Sequence, residues 1–115
     1  MKIRKELAKG STPLLILSLL SGEDMYGYRI IKELEIQSEF VFSLKEGTLY
    51  PILHSLEKEG MLKSYWLDAG TARKRKYYRI TDKGIKLLKK DKEEWESYSN
   101  AVNKVISPQA KPIMP

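Results

Sequence analysis

The polar side chains between Glu46 and Gly60 are spaced so that they could hydrogen-bond to nucleic acid. Apolar residues recur in this segment at the i, i+3, i+4 and i+7 positions that are typical of a helix with one buried face: Leu49, Ile52, Leu53 and Leu56. The opposite face carries groups that can donate or accept at base edges and phosphates: Thr48, Tyr50, His54, Ser55 and Lys58. The spacing predicts a base-reading helix, and the alternative is a plain solvated helix face.

A second candidate site is the run of four cations Arg73, Lys74, Arg75 and Lys76, followed by Tyr77. β-forming residues lie at 61–67 and 76–80 on either side of turn residues 68–72, and this pattern predicts a hairpin. Cationic side chains that neutralise phosphates release counterions, so we expect at least two of the four cations to contact DNA, with Tyr77 beside them. The alternative is a solvated hairpin tip.

Alternation along the returning strand divides these residues between the two faces of the hairpin. It places Lys74, Lys76 and Tyr78 on one face and Arg73, Arg75 and Tyr77 on the other. Because one of the two adjacent tyrosines must point inward, we predict that Tyr78 is the core residue and packs with Ile80.

Charge is distributed unevenly along the 115-residue chain, whose net charge is +6. Residues 1–10 carry four cations and one anion, and residues 61–80 carry six cations and one anion. Residues 46–60 carry three glutamates and one lysine, so this helix is not itself basic. A polyanionic partner would therefore be attracted mainly by the hairpin and the N-terminus. The alternative is a solvated lysine-rich surface.

The composition argues against several other functions. There are no cysteines, which excludes disulfides, thiol catalysis and cysteine-ligated zinc. With one histidine, His54, and no glycine-rich phosphate loop or convincing carboxylate pair, we expect no metal site, no cofactor and no enzymatic activity. Residues 14–20 form an apolar run after a cationic start, but Glu6 interrupts the cations and no small-x-small cleavage site follows. We therefore expect a buried first helix in a cytoplasmic protein, not a secretory signal or a membrane span.

The predicted elements place the two candidate segments side by side. The first helix covers residues 13–20 with Thr12 as its N-cap, and the second runs from about Met25 to Ile36. We predict that Tyr28, Ile31 and Leu34 share the buried face of the second helix and that Gly27 allows close packing against a neighbour. After a connector at residues 37–45, the third helix runs to about Glu59, with Pro51 in its first turn or so.

A long fourth helix, capped by Thr81 and Asp82, is predicted to reach about Ile106, a length of about 37 Å. Its apolar positions follow a heptad that Lys92 and Ser99 interrupt, and one small domain cannot cover so long a face. A partner helix is therefore implied, with a dimer interface formed by Ile85, Leu88, Trp95, Tyr98, Val102, Val105 and Ile106.

This order of elements predicts a mainly α fold with a small β-hairpin wing: a winged helix-turn-helix with a long C-terminal dimerisation helix. We expect a DNA-binding domain at residues 1–81, a dimerisation helix at residues 82–106 and a flexible, proline-rich tail at residues 107–115.

The chain resembles the PadR family of bacterial transcriptional regulators across about residues 8–105. The matching residues are Tyr26-Gly27-Tyr28, Gly47-Thr48-Leu49-Tyr50-Pro51, Leu53, Leu56, Glu57, Gly60, Arg75-Lys76-Tyr77-Tyr78, Thr81, Gly84 and Trp95. The resemblance is to the smaller members, which have one long C-terminal helix. It implies a homodimer on a pseudo-palindromic operator, with the third helices in major grooves about 34 Å apart and the wings on the flanking backbone or minor groove.

The resemblance also implies a repressor that a small molecule releases. In drug-responsive members, a tryptophan from each protomer's last helix can sandwich a flat, aromatic and often cationic ligand. Here this implies a site formed by Trp95, Leu14, Lys92 and Ser99. Lys92 and Ser99 make it more polar than in those members, and the alternative is that Trp95 is only an interface anchor. A different class of function, a winged-helix protein–protein module without DNA binding, is disfavoured by the cation cluster.

Overall fold

Three helices, a small antiparallel sheet and a long final helix follow one another in this computed structural model, which describes residues 3–4, 9–68, 70 and 73–108. After a short 3-10 turn at Lys9–Ser11, the elements are α1 (Thr12–Gly22), β1 (Met25–Tyr26), α2 (Gly27–Gln37), α3 (Glu46–Lys58), β2 (Leu62–Asp68), β3 (Lys74–Ile80) and α4 (Asp82–Ile106). This is the predicted winged helix-turn-helix with a long last helix. Most of the predicted tail, from residue 109 onward, lies outside the described residues.

The sheet has three strands in the order β1-β3-β2, one more than the predicted hairpin. In the register between β2 and β3, Leu62 faces Ile80 and Ser64 faces Tyr78, and on the other edge of β3 Met25 faces Tyr78. The prediction that Met25 and Tyr26 begin the second helix was wrong. These two residues pair with the open edge of β3 and bury the Met25 side chain, so the helix begins only at Gly27.

The burial pattern of α2 also corrects the prediction for Tyr28, whose side chain is 54% exposed. The buried residues are Gly27, Ile30, Ile31 and Leu34, which are spaced i, i+3, i+4 and i+7 from the first residue of the helix. Tyr28 is one position away from that series and therefore lies on the solvent side.

Two predictions about helix starts differ from the structure. Ser11, not Thr12, is at the N-cap position of α1, because the 3-10 turn leads directly into a helix whose first turn accommodates Pro13. Pro51 is the sixth residue of α3 rather than a first-turn residue, since the amides of Thr48 and Leu49 already bond to the Lys45 carbonyl. A proline at that place removes one helical hydrogen bond, and burial of Leu49, Leu53 and Leu56 offsets that loss.

The core lies between α1, α2, α3 and the inner face of the sheet. Its most buried side chains are Ile16, Leu17, Leu20, Ile30, Leu49, Leu53, Leu62 and Tyr78. Tyr78 is 1% exposed, which confirms it as the inward-pointing tyrosine, and this burial raises the pKa of its hydroxyl. Among the described helices, none combines the length and the apolar content needed to cross a bilayer.

The first two turns of the long helix α4 tie it to the core. Thr81 Oγ1 accepts a hydrogen bond of 3.0 Å from the Gly84 amide, which confirms the predicted cap. Gly84 and Leu88 are the buried residues of α4, and the helix then continues away from the core. The described residues consequently span 74 Å along the longest axis but only 30 and 21 Å along the others.

Gly84 allows the start of α4 to approach the turn before β2, and this leads to a stability prediction. A Cβ at this position would collide with the Met61 carbonyl oxygen and lie 2.7 Å from Ile80 Cγ1. We expect Gly84→Ala to lower the free energy of unfolding by about 1–3 kcal/mol, measured by urea denaturation. Gly47→Ala is the matched control, since nothing lies within 4 Å of its added Cβ and alanine favours the helix. Equal stabilities of the two variants would contradict the close approach.

Candidate nucleic-acid interface

The outer face of α3 presents most of the predicted base-reading side chains. Thr48, His54, Ser55 and Lys58 are exposed, because the apolar residues of the helix turn towards the core. Tyr50 differs from them, since its half-buried ring lies over Gly27 at the start of α2. A Cβ on Gly27 would be only 2.8 Å from Tyr50 Cζ, which confirms that this glycine permits close packing.

The cations of the wing (defined as β2 and β3) lie on different faces, as alternation predicts. Lys76 is on the inner face of the sheet, where its Nζ is 3.8 Å from Glu57 Oε1 of α3. Arg75 is on the outer face, with its guanidinium carbon 4.4 Å from the centroid of the Tyr26 ring. Arg73, immediately before β3, and Lys74, the first residue of β3, are both exposed. The four cations therefore cannot all meet a duplex in the same way.

Glu57 joins the base-reading helix to the wing. One of its carboxylate oxygens accepts a hydrogen bond from the Ser64 hydroxyl on β2, and the other is paired with Lys76 on β3. The C-terminal end of α3 is held from the other side, where Thr81 Oγ1 donates to the Gly60 carbonyl at 2.6 Å and Lys83 Nζ donates to the Glu59 carbonyl at 2.8 Å. These contacts fix the relative position of α3 and the wing.

The outer face of the sheet carries a cluster of three tyrosines. The ring of Tyr77 meets Tyr26 edge-on with 5.5 Å between centroids, and it stacks on Tyr65 at 5.7 Å. The Tyr65 hydroxyl donates to Asp24 Oδ2 at 2.6 Å, and that hydrogen bond raises the pKa of Tyr65. Arg79 Nε donates to the same oxygen at 3.0 Å. Tyr77, predicted as a DNA contact, is thus half-buried within this cluster.

Trp66 is a residue that the sequence reasoning did not identify as part of the site. Its side chain is 62% exposed, and it faces Lys76 in the register of the hairpin. The alternation of side chains along β2 could have identified it, because this alternation places Trp66 on the same face of the strand as Ser64 and the buried Leu62. An exposed tryptophan beside lysines on the side of the wing that faces α3 is suited to contact sugars or phosphates.

The predicted dimer-interface residues differ in their exposure. Leu88 belongs to the protomer's own core, at 7% exposed, while Val102 is half-buried. The others are exposed large hydrophobic side chains: Ile85, Trp95, Tyr98, Val105 and Ile106. An apolar strip of this size on one projecting helix is a feature of interaction surfaces.

In the part of the chain that the structure describes, the predicted effector residues lie at separate places on the protomer. Trp95 is 50% exposed, and its ring centroid is 6.1 Å from that of Tyr98. Lys92 lines a shallow groove of about 280 Å³ with Ile85 and Leu88, and Trp95 is not among the residues that line it. Ser99 donates to the Glu96 carbonyl one turn earlier, and Leu14 packs against the core from α1.

No group of three metal-ligating side chains occurs among the residues that the structure describes. His54 is exposed on α3, and the geometry gives it no partner set for a metal ion.

Comparison with known proteins identifies the family. A model of the transcriptional regulator PadR-like family matches residues 16–90. The solved structure of a transcriptional regulator from Clostridium thermocellum is 40% identical, covers 89% of this chain and 99% of its own, and superposes with a TM-score of 0.82. The crystal structure of a PadR family transcriptional regulator from Eggerthella lenta is 35% identical, and the match covers 90% of this chain and 88% of that one with a TM-score of 0.79. A transcriptional regulator from Mycobacterium tuberculosis is 31% identical over 85% of this chain and 88% of its own. The chain belongs to the PadR-like family of transcriptional regulators, which are not enzymes.

Proposed function

We propose that this protein represses transcription as a homodimer bound to a pseudo-palindromic operator, with α3 in the major groove and the wing on the flanking backbone. The observation that carries the proposal is the Glu57 link between α3 and the wing. It joins an exposed polar helix face to a cationic strand, so that both can meet one duplex.

The electrostatics divide the work between the two elements. Since residues 46–60, which include α3, carry three glutamates and one lysine, attraction to the phosphates comes mainly from the wing. Exposed hydroxyl and imidazole groups on α3, from Thr48, His54 and Ser55, are suited to base edges. The wing then supplies affinity, and α3 sets the register on the operator.

A second copy of the chain is proposed to cover the apolar strip of α4. Apart from Ile85, this strip lies beyond Leu88, where α4 has left the core of its own protomer. Paired α4 helices would bury Trp95 and its apolar neighbours and would set the distance between the two α3 helices. In this arrangement residues 1–81 form the DNA-binding domain and residues 82–106 the dimerisation helix.

An effector is proposed to bind between the two α4 helices, where each protomer contributes Trp95, with Leu14, Lys92 and Ser99 nearby. A planar aromatic molecule would be held by stacking and, if it is cationic, by cation–π attraction. It would release the operator only if it binds one spacing of the α3 helices more tightly than another.

The two tryptophans allow a clean test of the effector site, because Trp66 and Trp95 are far apart in the sequence and only these two are present. In a Trp66→Phe background, fluorescence reports on Trp95 alone. A planar cationic dye should quench the Trp95 fluorescence at micromolar concentration. When the Trp95→Ala substitution is introduced, the anisotropy of the dye should show that it no longer binds the protein. The reciprocal Trp95→Phe variant, which reports on Trp66, is the control. Unchanged dye binding without Trp95 would contradict the sandwich.

Genomic footprinting followed by anisotropy titrations tests the proposed function itself. The footprint should yield a pseudo-palindrome, and affinity for it should fall steeply as salt is raised. A protein–protein module would instead give no footprint or an affinity that does not depend on salt.

A further inference from the structure

Among the wing cations, Lys76 and Arg79 have carboxylate partners, whereas Arg75 has an aromatic one. Lys76 is 3.8 Å from a Glu57 oxygen, and Arg79 is hydrogen-bonded to Asp24 at 3.0 Å. Arg75 instead stacks over the Tyr26 ring at 4.4 Å. Within the described part of the chain, no carboxylate lies within salt-bridge distance of its guanidinium. Arg75 is therefore positioned without being neutralised.

The Tyr26 ring is itself held firmly. Tyr26 is in β1, where it pairs with Tyr77 of β3, and its ring is packed edge-on against the Tyr77 ring. Tyr77 stacks in turn on Tyr65, whose hydroxyl is bonded to Asp24. Arg75 is two residues before Tyr77 on the same face of β3, a diagonal position from which a long side chain reaches the ring. The ring thus belongs to the body of the domain and not to the wing tip.

This arrangement has a consequence for phosphate binding. A long side chain loses rotational freedom when it binds a partner, and that loss is smaller if the side chain is already held in place. A carboxylate would hold a guanidinium equally well but would compete with the phosphate for its charge and its N–H donors. An aromatic face restricts the guanidinium and carries no net charge.

We propose that Tyr26 is a positioning residue that holds the Arg75 guanidinium in place for a DNA phosphate without neutralising its charge. Arg75 is thereby a stronger contact to the DNA backbone than Lys76 or Arg79, whose charges are paired with carboxylates. The proposal rests on the proposed DNA-binding function. It explains what the two-residue strand β1 contributes beyond packing, since β1 brings this ring to the base of the wing.

A double-mutant cycle tests the proposal. The wild type, Tyr26→Leu, Arg75→Ala and the double variant are titrated by anisotropy against a labelled 30-base-pair duplex of arbitrary sequence, because phosphate contacts do not depend on sequence. Tyr26→Leu should weaken binding about threefold to tenfold when Arg75 is present and less than about twofold when residue 75 is alanine. Tyr26→Phe, which keeps an aromatic face, should restore most of the affinity.

Matched controls separate this role from a structural one. Tyr28→Leu makes the same change in a tyrosine whose ring is 5.4 Å from Lys32 Nζ, outside the wing, and it should leave DNA affinity unchanged. Arg75→Lys changes an exposed residue and should not affect folding. It should lower DNA affinity, because an ammonium stacks less well on an aromatic ring than a guanidinium does, but it should keep the salt dependence because the charge is unchanged. Thermal unfolding is recorded for every variant.

The outcomes distinguish this proposal from the proposed function. Equal losses from Tyr26→Leu with and without Arg75, or wild-type affinity in Arg75→Lys, would overturn the positioning role while DNA binding stands. A wild-type protein that shows no salt-dependent affinity for the duplex would overturn both.

Discussion

Replacing Arg73, Arg75 and Lys76 together with alanine should weaken binding to every duplex by at least about 100-fold at low salt. Each charge-assisted hydrogen bond to a phosphate contributes about 1.5 kcal/mol or more. The loss of two such bonds therefore accounts for the lower limit of about 100-fold, and losses in both protomers would exceed it. The dependence of log affinity on log salt should also become shallower by about 0.9 for each phosphate that is no longer neutralised. Anisotropy titrations at several salt concentrations, on the operator and on a scrambled duplex, measure both quantities. The ratio between the two duplexes should change little, since the base-reading side chains of α3 are unaltered and Ser64 still bonds to Glu57 when Lys76 is removed.

The control for this variant removes the same amount of positive charge elsewhere. Lys86, Lys90 and Lys104 are exposed on α4, away from its apolar strip, and their replacement with alanine changes the net charge equally. We expect only a small loss of affinity through the weaker long-range field, with nearly the original salt dependence. An unchanged affinity and slope in the wing variant, or equal losses in the two variants, would show that the wing is not a specific contact.

Much of the fold could be predicted from the spacing of apolar residues, because that spacing depends directly on which side chains are buried. The positions of Leu49, Leu53 and Leu56 predicted which side of α3 faces the core, and the structure confirms it. Strict alternation in the returning strand likewise identified Tyr78 as buried and Arg75 as outward-facing. In both cases the periodicity of side-chain direction was sufficient for the prediction, because α3 and β3 each have one solvent-exposed face and one buried face.

Local patterns could not reveal β1, and this error spread to its neighbours. Two residues are too few to show an alternation, and Met25 becomes a strand only because β3, some fifty residues later, offers it an open edge. Once β1 is absent from the prediction, α2 begins two residues early and Tyr28 falls on the buried side. The prediction then misses the third strand and with it the ring that meets Arg75.

In the candidate site, too, local features could be predicted from the sequence, whereas contacts between distant residues could not. The types of the wing cations and their faces follow from the sequence, but their partners are set by contacts distant in the chain, such as Lys76 with Glu57 and Arg79 with Asp24. These partners decide which cations keep their full charge for a phosphate. Trp66 was missed for a related reason, because a tryptophan in a strand is ordinarily a core residue and only the length of the hairpin beyond the core exposes it.

The variant Val102→Glu/Ile106→Glu should be monomeric and should bind the operator roughly 100-fold to 10,000-fold more weakly than the wild type. Both residues lie on the apolar strip of α4, more than three turns beyond Leu88, so new carboxylates there cannot disturb the protomer core. In a paired helix they would be buried against apolar side chains without a partner, which is strongly unfavourable. Loss of pairing removes the gain from linking two reading helices on one operator.

Light scattering after size-exclusion chromatography gives the mass, and anisotropy with full and half operators gives the affinities. Ser97→Glu/Asn100→Glu is the matched control, since it adds the same charges to exposed positions on the opposite side of the same helix and should stay dimeric. The monomeric variant should bind the full site no better than the half site, because a lone protomer has one reading helix. A dimer that survives both glutamates would place the interface elsewhere, and a monomer with undiminished operator affinity would mean that pairing through α4 does not align the two α3 helices on DNA.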